Sequence, residues 1–260
     1  MAFIQCQFYS EVLNLSTSMT VILPQQTTTQ IGMKNKIMSE RHQTLYLLHG
    51  FSDDDTIWTR RTSIERYVAP LGLAVVMPQF HHSFYTDMKY GNKYWTFLTE
   101  ELPSIAQSFF PLSDAREDNF VAGLSMGGYG ALKWALNRPD QISAAASLSG
   151  VTDIVSHVKH SDLGPIFSLV FGDEDISGTE NDLLSLIKET HRNEQKPKLY
   201  QCCGTEDFLY EDNLHFKQLC EKTNYDVTSD FGPGDHEWGY WDKKIQDVLA
   251  WLPLKANQRT

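Results

Sequence analysis

Only four cysteines occur in the 260 residues, Cys6, Cys202, Cys203 and Cys220, and no two stand in CxxC spacing. That absence argues against a zinc ribbon or a dithiol redox centre. Two of the four are neighbours in an apolar run that reads as a buried strand, so free thiols in a reducing cytoplasm are expected. A bridge from Cys220 to that strand is the alternative, and it requires an oxidising compartment. No apolar run approaches the roughly 20 residues needed to span a bilayer. Basic residues are few, 22 Lys plus Arg against 33 Asp plus Glu, and the net charge of -11 repels nucleic-acid phosphates and anionic membrane surfaces. No local basic patch offsets it, so neither nucleic acid nor membrane is expected as a partner. Met1 to Ser10 hold no Lys or Arg and no long apolar core, so no secretory signal is visible in the chain as given.

What is present is a composition 41% hydrophobic and 12% aromatic, enough to bury a large core. With no linker-like stretch, residues 1–260 are read as one domain. Residues 3–13 and 19–24 are expected to form two antiparallel strands with a turn over 14–18, and 25–41 a polar loop. From Thr44 onward short apolar runs at 44–49, 73–78 and 119–124 are each followed by turn residues and a helical stretch. Further runs lie at 142–150, 198–204 and 225–231, and an amphipathic helix is expected over 240–252. Runs apolar on both faces indicate parallel strands covered by helices, hence a mostly parallel, doubly wound α/β sheet flanked by helices. Residues 151–195 interrupt the alternation with many acids and apolar points at Ile154, Ile166, Phe167, Leu169, Val170 and Phe171. This insertion is placed as a short cap or wall over the catalytic edge, where such sheets bind ligands.

Gly123-Leu124-Ser125-Met126-Gly127 matches G-x-S-x-G between a strand and a helix, the context that gives the motif its value. Small residues must flank such a serine because the strand-to-helix turn is sharp. The helix N-terminus behind it favours negative charge developing in a transition state. Ser125 is therefore the expected nucleophile of an α/β-hydrolase fold.

A serine hydroxyl needs a general base, which in this fold arrives on a loop after a late strand. Of the 9 histidines, His236 has that address, in Phe231-Gly232-Pro233-Gly234-Asp235-His236 before the last helix. His81 and His82 are candidates for the mouth of the site, and His49 for shaping a loop. His42, His157, His160, His191 and His215 read as surface loop or helix positions. The orienting acid should lie between serine and histidine in chain order. Asp207 fits, after the strand ending at Gly204, with Glu206 as its nearest competitor. Backbone N–H groups of Met126 and Phe51 are expected to form the oxyanion hole, with Gly50 giving the loop freedom. Asp53, Asp54 and Asp55 lack the spaced ligands of a calcium loop and read as a solvated turn, so no metal is expected.

Several stretches, YLLHG at 46–50, VVMP at 75–78, AGLSMGGYGA at 122–131, CGTEDFLY at 203–210 and HEWGYW at 236–241, resemble the esterase D and S-formylglutathione hydrolase family, and more closely the bacterial tributyrin esterases within it. The resemblance covers nearly the whole chain. By position it implies Ser125 as nucleophile, Asp207 and His236 as its partners, and the Phe51 and Met126 amides as oxyanion donors. It further implies short acyl esters as substrates, small acyl-sugar esters among them, and frequently a homo-oligomer; the triad chemistry requires no cofactor. The loop at Asp53 departs from the family, whose members often carry a further glycine there. A thioesterase acting on S-formylglutathione and an acyltransferase remain alternatives on the same triad. Phe51, Trp58, Tyr85, Phe167, Phe171 and Trp238 are candidate pocket walls.

Overall fold

Five runs that are apolar on both faces form the middle of one eight-stranded sheet in the computed structural model, which describes residues 1–255. The strands are β1 (Ala2–Ser10), β2 (Leu15–Leu23), β3 (Thr44–Leu48), β4 (Ala74–Pro78), β5 (Asn119–Leu124), β6 (Ala144–Leu148), β7 (Lys198–Gly204) and β8 (Val227–Gly232). Their order is β1-β2-β4-β3-β5-β6-β7-β8. β1 pairs antiparallel with β2, and β2 antiparallel with β4; every other neighbour is parallel. Strands β3 to β6 are buried throughout, because helices cover both faces.

The helices are α1 (Ile57–Arg61), α2 (Ile64–Val68), α3 (Tyr94–Thr96), α4 (Leu102–Phe109), α5 (Met126–Asn137), α6 (Ile154–His160), α7 (Gly164–Phe171), α8 (Leu183–Thr190), α9 (Tyr210–Cys220) and α10 (Trp238–Trp251). Two apolar clusters result, one per face. The larger joins Tyr46, Val76 and Val121 of the sheet to Tyr129, Leu132 and Trp134 of α5. The other joins Leu45, Val75 and Ala146 to Trp58, Ile64, Ile245 and Val248. Burial of each Leu, Val or Phe side chain contributes roughly 1.5–3 kcal/mol.

The strand boundaries differ from the sequence expectation at the start. The first strand ends at Ser10, not Leu13, because Asn14 takes a left-handed conformation (φ 53°) and closes a tight turn. Leu13 in that turn is buried, which gave it the look of a strand residue. The last helix starts two residues earlier than expected because Glu237 caps it, accepting from the Gly239 and Tyr240 amides. Residues 151–195 contain α6, α7 and α8. All four cysteines are free. Residues 256–260, which the domain reading included, lie outside the described residues.

Candidate active site

Strand β5 delivers Ser125 into a left-handed backbone conformation (φ 53°, ψ -117°) at the N-terminus of α5. The turn is held because the Ser125 N–H donates to Leu148 O at 2.9 Å. The flanking glycines are required by contact, not by habit. A Cβ on Gly123 would lie 2.3 Å from Gly127 O, and one on Gly127 would lie 2.6 Å from Leu48 O. Both obstacles are backbone, which cannot swing away.

His236 Nε2 lies 3.1 Å from Ser125 Oγ, and His236 Nδ1 lies 2.9 Å from Asp207 Oδ2 and 3.1 Å from Oδ1. The Asp207 side chain is fully buried, and its Oδ1 also accepts from the Leu209 N–H at 2.8 Å. Burial alone would raise the Asp207 pKa. The hydrogen bonds from His236 and Leu209, with the imidazole's charge, outweigh it and hold the carboxyl below its ordinary value. The loops after β7 and β8 are tied together where these residues meet. Thr205 N–H donates to Gly232 O, Glu206 N–H to Gly234 O, and Gly234 N–H to the Glu206 carboxylate at 2.6 Å. Glu206, the competitor for the orienting role, thus clamps the histidine loop and leaves the imidazole to Asp207.

The N–H groups of Phe51 and Met126 donate to no acceptor among the described residues, and both residues line the same cavity as Ser125. The peptide carrying the Phe51 N–H is held from behind. His49 is buried, its Nδ1 lies 2.7 Å from Gly50 O, and its Nε2 accepts from the Phe80 N–H at 2.9 Å. A carbonyl only accepts, so Nδ1 carries the hydrogen and the ring is neutral. Burial pushes the His49 pKa down to about 4, against the pull of its bond to Gly50 and the charges of Asp54 and Asp55. Because Gly50 C=O and Phe51 N–H belong to one planar peptide, fixing the carbonyl aims the amide. Behind His49, the Tyr85 hydroxyl donates to His49 O at 2.8 Å. Lys133 on α5 in turn donates to Tyr85 O and Thr86 Oγ1, each at 3.0 Å. Lys133 is wholly buried, its Nζ 4.5 Å from the centre of the Trp95 ring, and burial pushes its pKa down to about 7, against the pull of Glu180 and Asp87.

The cavity in front of Ser125 has a volume of about 530 Å³. Phe51, Phe167 and Trp238 line it, as the sequence suggests. Trp58, Tyr85 and Phe171 do not: they are buried in the cores, Trp58 with its indole N–H bonded to Leu48 O. Phe84, Leu163, Phe208 and His157 line it instead, none of which stood out in the sequence as a wall. Phe208 is 73% exposed, with its ring 4.5 Å from that of His236. His82 stacks on Phe51 at 4.1 Å, outside the cavity lining. Two further expectations are corrected. His42 is buried, its N–H bonded to Pro111 O, not a surface residue. The Asp53–Asp55 run is not a solvated turn: Asp55 is buried and accepts from Ser18 and Thr20, Asp54 accepts from Thr56 and Arg60, and Asp53 accepts from the Gly50 N–H. No group of three or more metal-ligating side chains occurs among the described residues. No helix among them is long and apolar enough to cross a membrane.

Comparison with known proteins gives the family and the fold. The Esterase family model matches residues 10–252. An acetyl esterase from Caldicellulosiruptor saccharolyticus is 30% identical over 262 residues, covering 97% of this chain and 98% of its own length. The substrate-bound structure of FphF, a fluorophosphonate-binding serine hydrolase of Staphylococcus aureus, superposes with a TM-score of 0.87 at 36% identity, over 96% of this chain and 98% of that one. An S-formylglutathione hydrolase, FrmB, from the same organism superposes with a TM-score of 0.84, also at 36% identity and the same coverage.

Proposed function

Since the chain belongs to the Esterase family, we propose that it is a carboxylesterase that hydrolyses short-chain acyl esters of small neutral alcohols, tributyrin and acetylated molecules among them. It is a serine hydrolase of the esterase D and S-formylglutathione hydrolase type, with the α/β-hydrolase fold. The observation that carries the proposal is the hydrogen-bonded line from Ser125 Oγ through His236 to Asp207, opening on a cavity with two unused amides.

In this reading His236 Nε2 takes the proton as Ser125 Oγ attacks the ester carbonyl, and Asp207 holds the ring and stabilises its charged form. The carbonyl oxygen becomes an oxyanion facing the Phe51 and Met126 N–H groups. Collapse breaks the bond to the alcohol, which leaves with the proton from His236. Water, deprotonated by the same ring, then hydrolyses the acyl-serine. Phe84, Leu163 and Phe167 give the acyl group an apolar wall, and α6 and α7 act as the cap over it. Among the described residues lining the cavity none is Lys or Arg, while Asp53 and Glu237 are acids. That field favours neutral oxygen esters over the dicarboxylate glutathione thioester. Four free thiols support a reducing, cytoplasmic setting, and the proposal includes the homo-oligomer that the family resemblance implies.

Hydrolysis of p-nitrophenyl esters from acetate to laurate, on the wild type and Ser125→Ala, tests the reading. The expected result is a maximum at the shortest chains and a loss in the variant on the order of 10⁴-fold or more. Inert wild type, or substantial turnover by pure Ser125→Ala, would overturn it.

A further inference from the structure

The cavity holds a second histidine that the ester chemistry leaves unused. His157 lies on α6, in the segment that interrupts the strand alternation, and lines the same cavity as Ser125. Its Nε2 is 2.8 Å from Asp212 Oδ2, on α9, and both side chains are about a quarter exposed, 27% and 28%. An ionised carboxylate only accepts, so Nε2 carries the hydrogen and the ring is oriented from behind. Nδ1 then has no protein partner among the described residues. One helical turn on, Ser161 lines the same cavity; its Oγ accepts from the Leu163 N–H at 3.0 Å and keeps its own hydrogen to donate.

A free ring nitrogen and a hydroxyl hydrogen, one turn apart on one wall, complement a hydroxyl group, which both donates and accepts. A short acyl chain has nothing to bind them, and leaving them dry against it carries a desolvation penalty. They therefore face the alcohol half of the substrate. The acids on the remaining walls, Asp53 and Glu237, disfavour a carboxylate or phosphate there. We infer that His157, oriented by Asp212, and Ser161 form the subsite for the leaving alcohol, and that the preferred alcohol is neutral and carries at least one further hydroxyl. The inference rests on the esterase reading above.

Glycerol 1-acetate and n-propyl acetate share a carbon skeleton and differ by two hydroxyls, so the ratio of their kcat/KM values reads the subsite alone. Wild type is expected to prefer the glycerol ester by about tenfold or more, the scale of one or two net hydrogen bonds. In His157→Leu the ratio should fall towards one, mainly through KM on the glycerol ester, and Asp212→Ala should lower it in the same direction. Ser161→Ala, a smaller change on the same wall, should also lower it and does so without touching the α6 to α9 contact. Melting temperatures of all variants identify any that fail to fold. A wild type without preference, or folded His157→Leu and Ser161→Ala that both keep it, overturns the subsite while leaving the esterase intact. A wild type inert on p-nitrophenyl acetate overturns the esterase reading itself.

Discussion

Lys133→Met offers a test of the buried scaffold behind the proposed oxyanion loop. Lys133 has no carboxylate within ion-pair distance among the described residues; it meets Tyr85 O, Thr86 Oγ1 and the Trp95 and Tyr129 rings. Its pKa is pushed from 10.5 down to about 7 by burial. Between those values the unfolded chain holds a proton that the folded one has shed, so stability rises with pH across that window. Below pH 7 both states are charged and the full penalty stands, on the order of 5 kcal/mol. Above about pH 10.5 both are neutral and it vanishes. From pH 7 to pH 9 this single group should add about 2 kcal/mol to the unfolding free energy. Methionine keeps most of the volume and removes the titration. It also leaves Tyr85 O unpartnered and takes one donor from Thr86 Oγ1, which still donates to Phe84 O, a cost of roughly 1–3 kcal/mol at every pH that moves the level without moving the slope. Urea unfolding followed by tryptophan fluorescence at pH 7, 8 and 9 gives the difference in slope between the two proteins. Equal slopes would refute the reasoning, because they would mean that Lys133 titrates alike in both states.

Two further substitutions address the elbow and the oxyanion loop. Gly127→Ala puts a methyl 2.6 Å from Leu48 O and 2.7 Å from His49 O, so a loss of roughly 1–3 kcal/mol is expected, read as a lower urea midpoint together with lost esterase activity. An unchanged midpoint would show that the strand yields. His49→Phe keeps a ring of similar size but deletes the bonds to Gly50 O and from Phe80 N–H, and should lower kcat by roughly 10- to 100-fold with a smaller change in KM, since a misaimed oxyanion donor costs transition-state stabilisation. A kcat within twofold of wild type would reduce His49 to packing.

The legible parts of the site are those where chemistry or backbone contact dictates residue type. Gly123 is forced by the backbone of Gly127 in α5 and Gly127 by that of Leu48 and His49, so the elbow is written into the sequence. Ser125 and Asp207 follow strands whose apolar runs are recognisable, His236 follows the more polar edge strand β8, and the structure brings all three together. The cavity walls are another matter. Phe84 and Tyr85 are adjacent aromatics, both with left-handed backbone, yet Phe84 lines the cavity and Tyr85 reaches the other way to His49 O. Nothing in the type or spacing of two neighbours in an irregular turn says which will face the ligand. Asp53, Asp54 and Asp55 are identical in sequence and separate only through the amides and hydroxyls that the fold sets around each. His157 looked like a surface helix residue because its partner, Asp212, stands on a different helix 55 positions away.

The distance along the chain between Ser125 and His236 has a consequence for biosynthesis. His236 comes 111 residues after Ser125, on a loop anchored by β8, an edge strand that pairs with β7 alone. On the proposed assignment, a nascent chain folded only as far as β6 carries Ser125 with neither Asp207 nor His236 beside it, and closing so long a loop is a late, entropically costly event. If Ser125 is the nucleophile and His236 its base, as proposed, the serine gains that base only when the final strand docks.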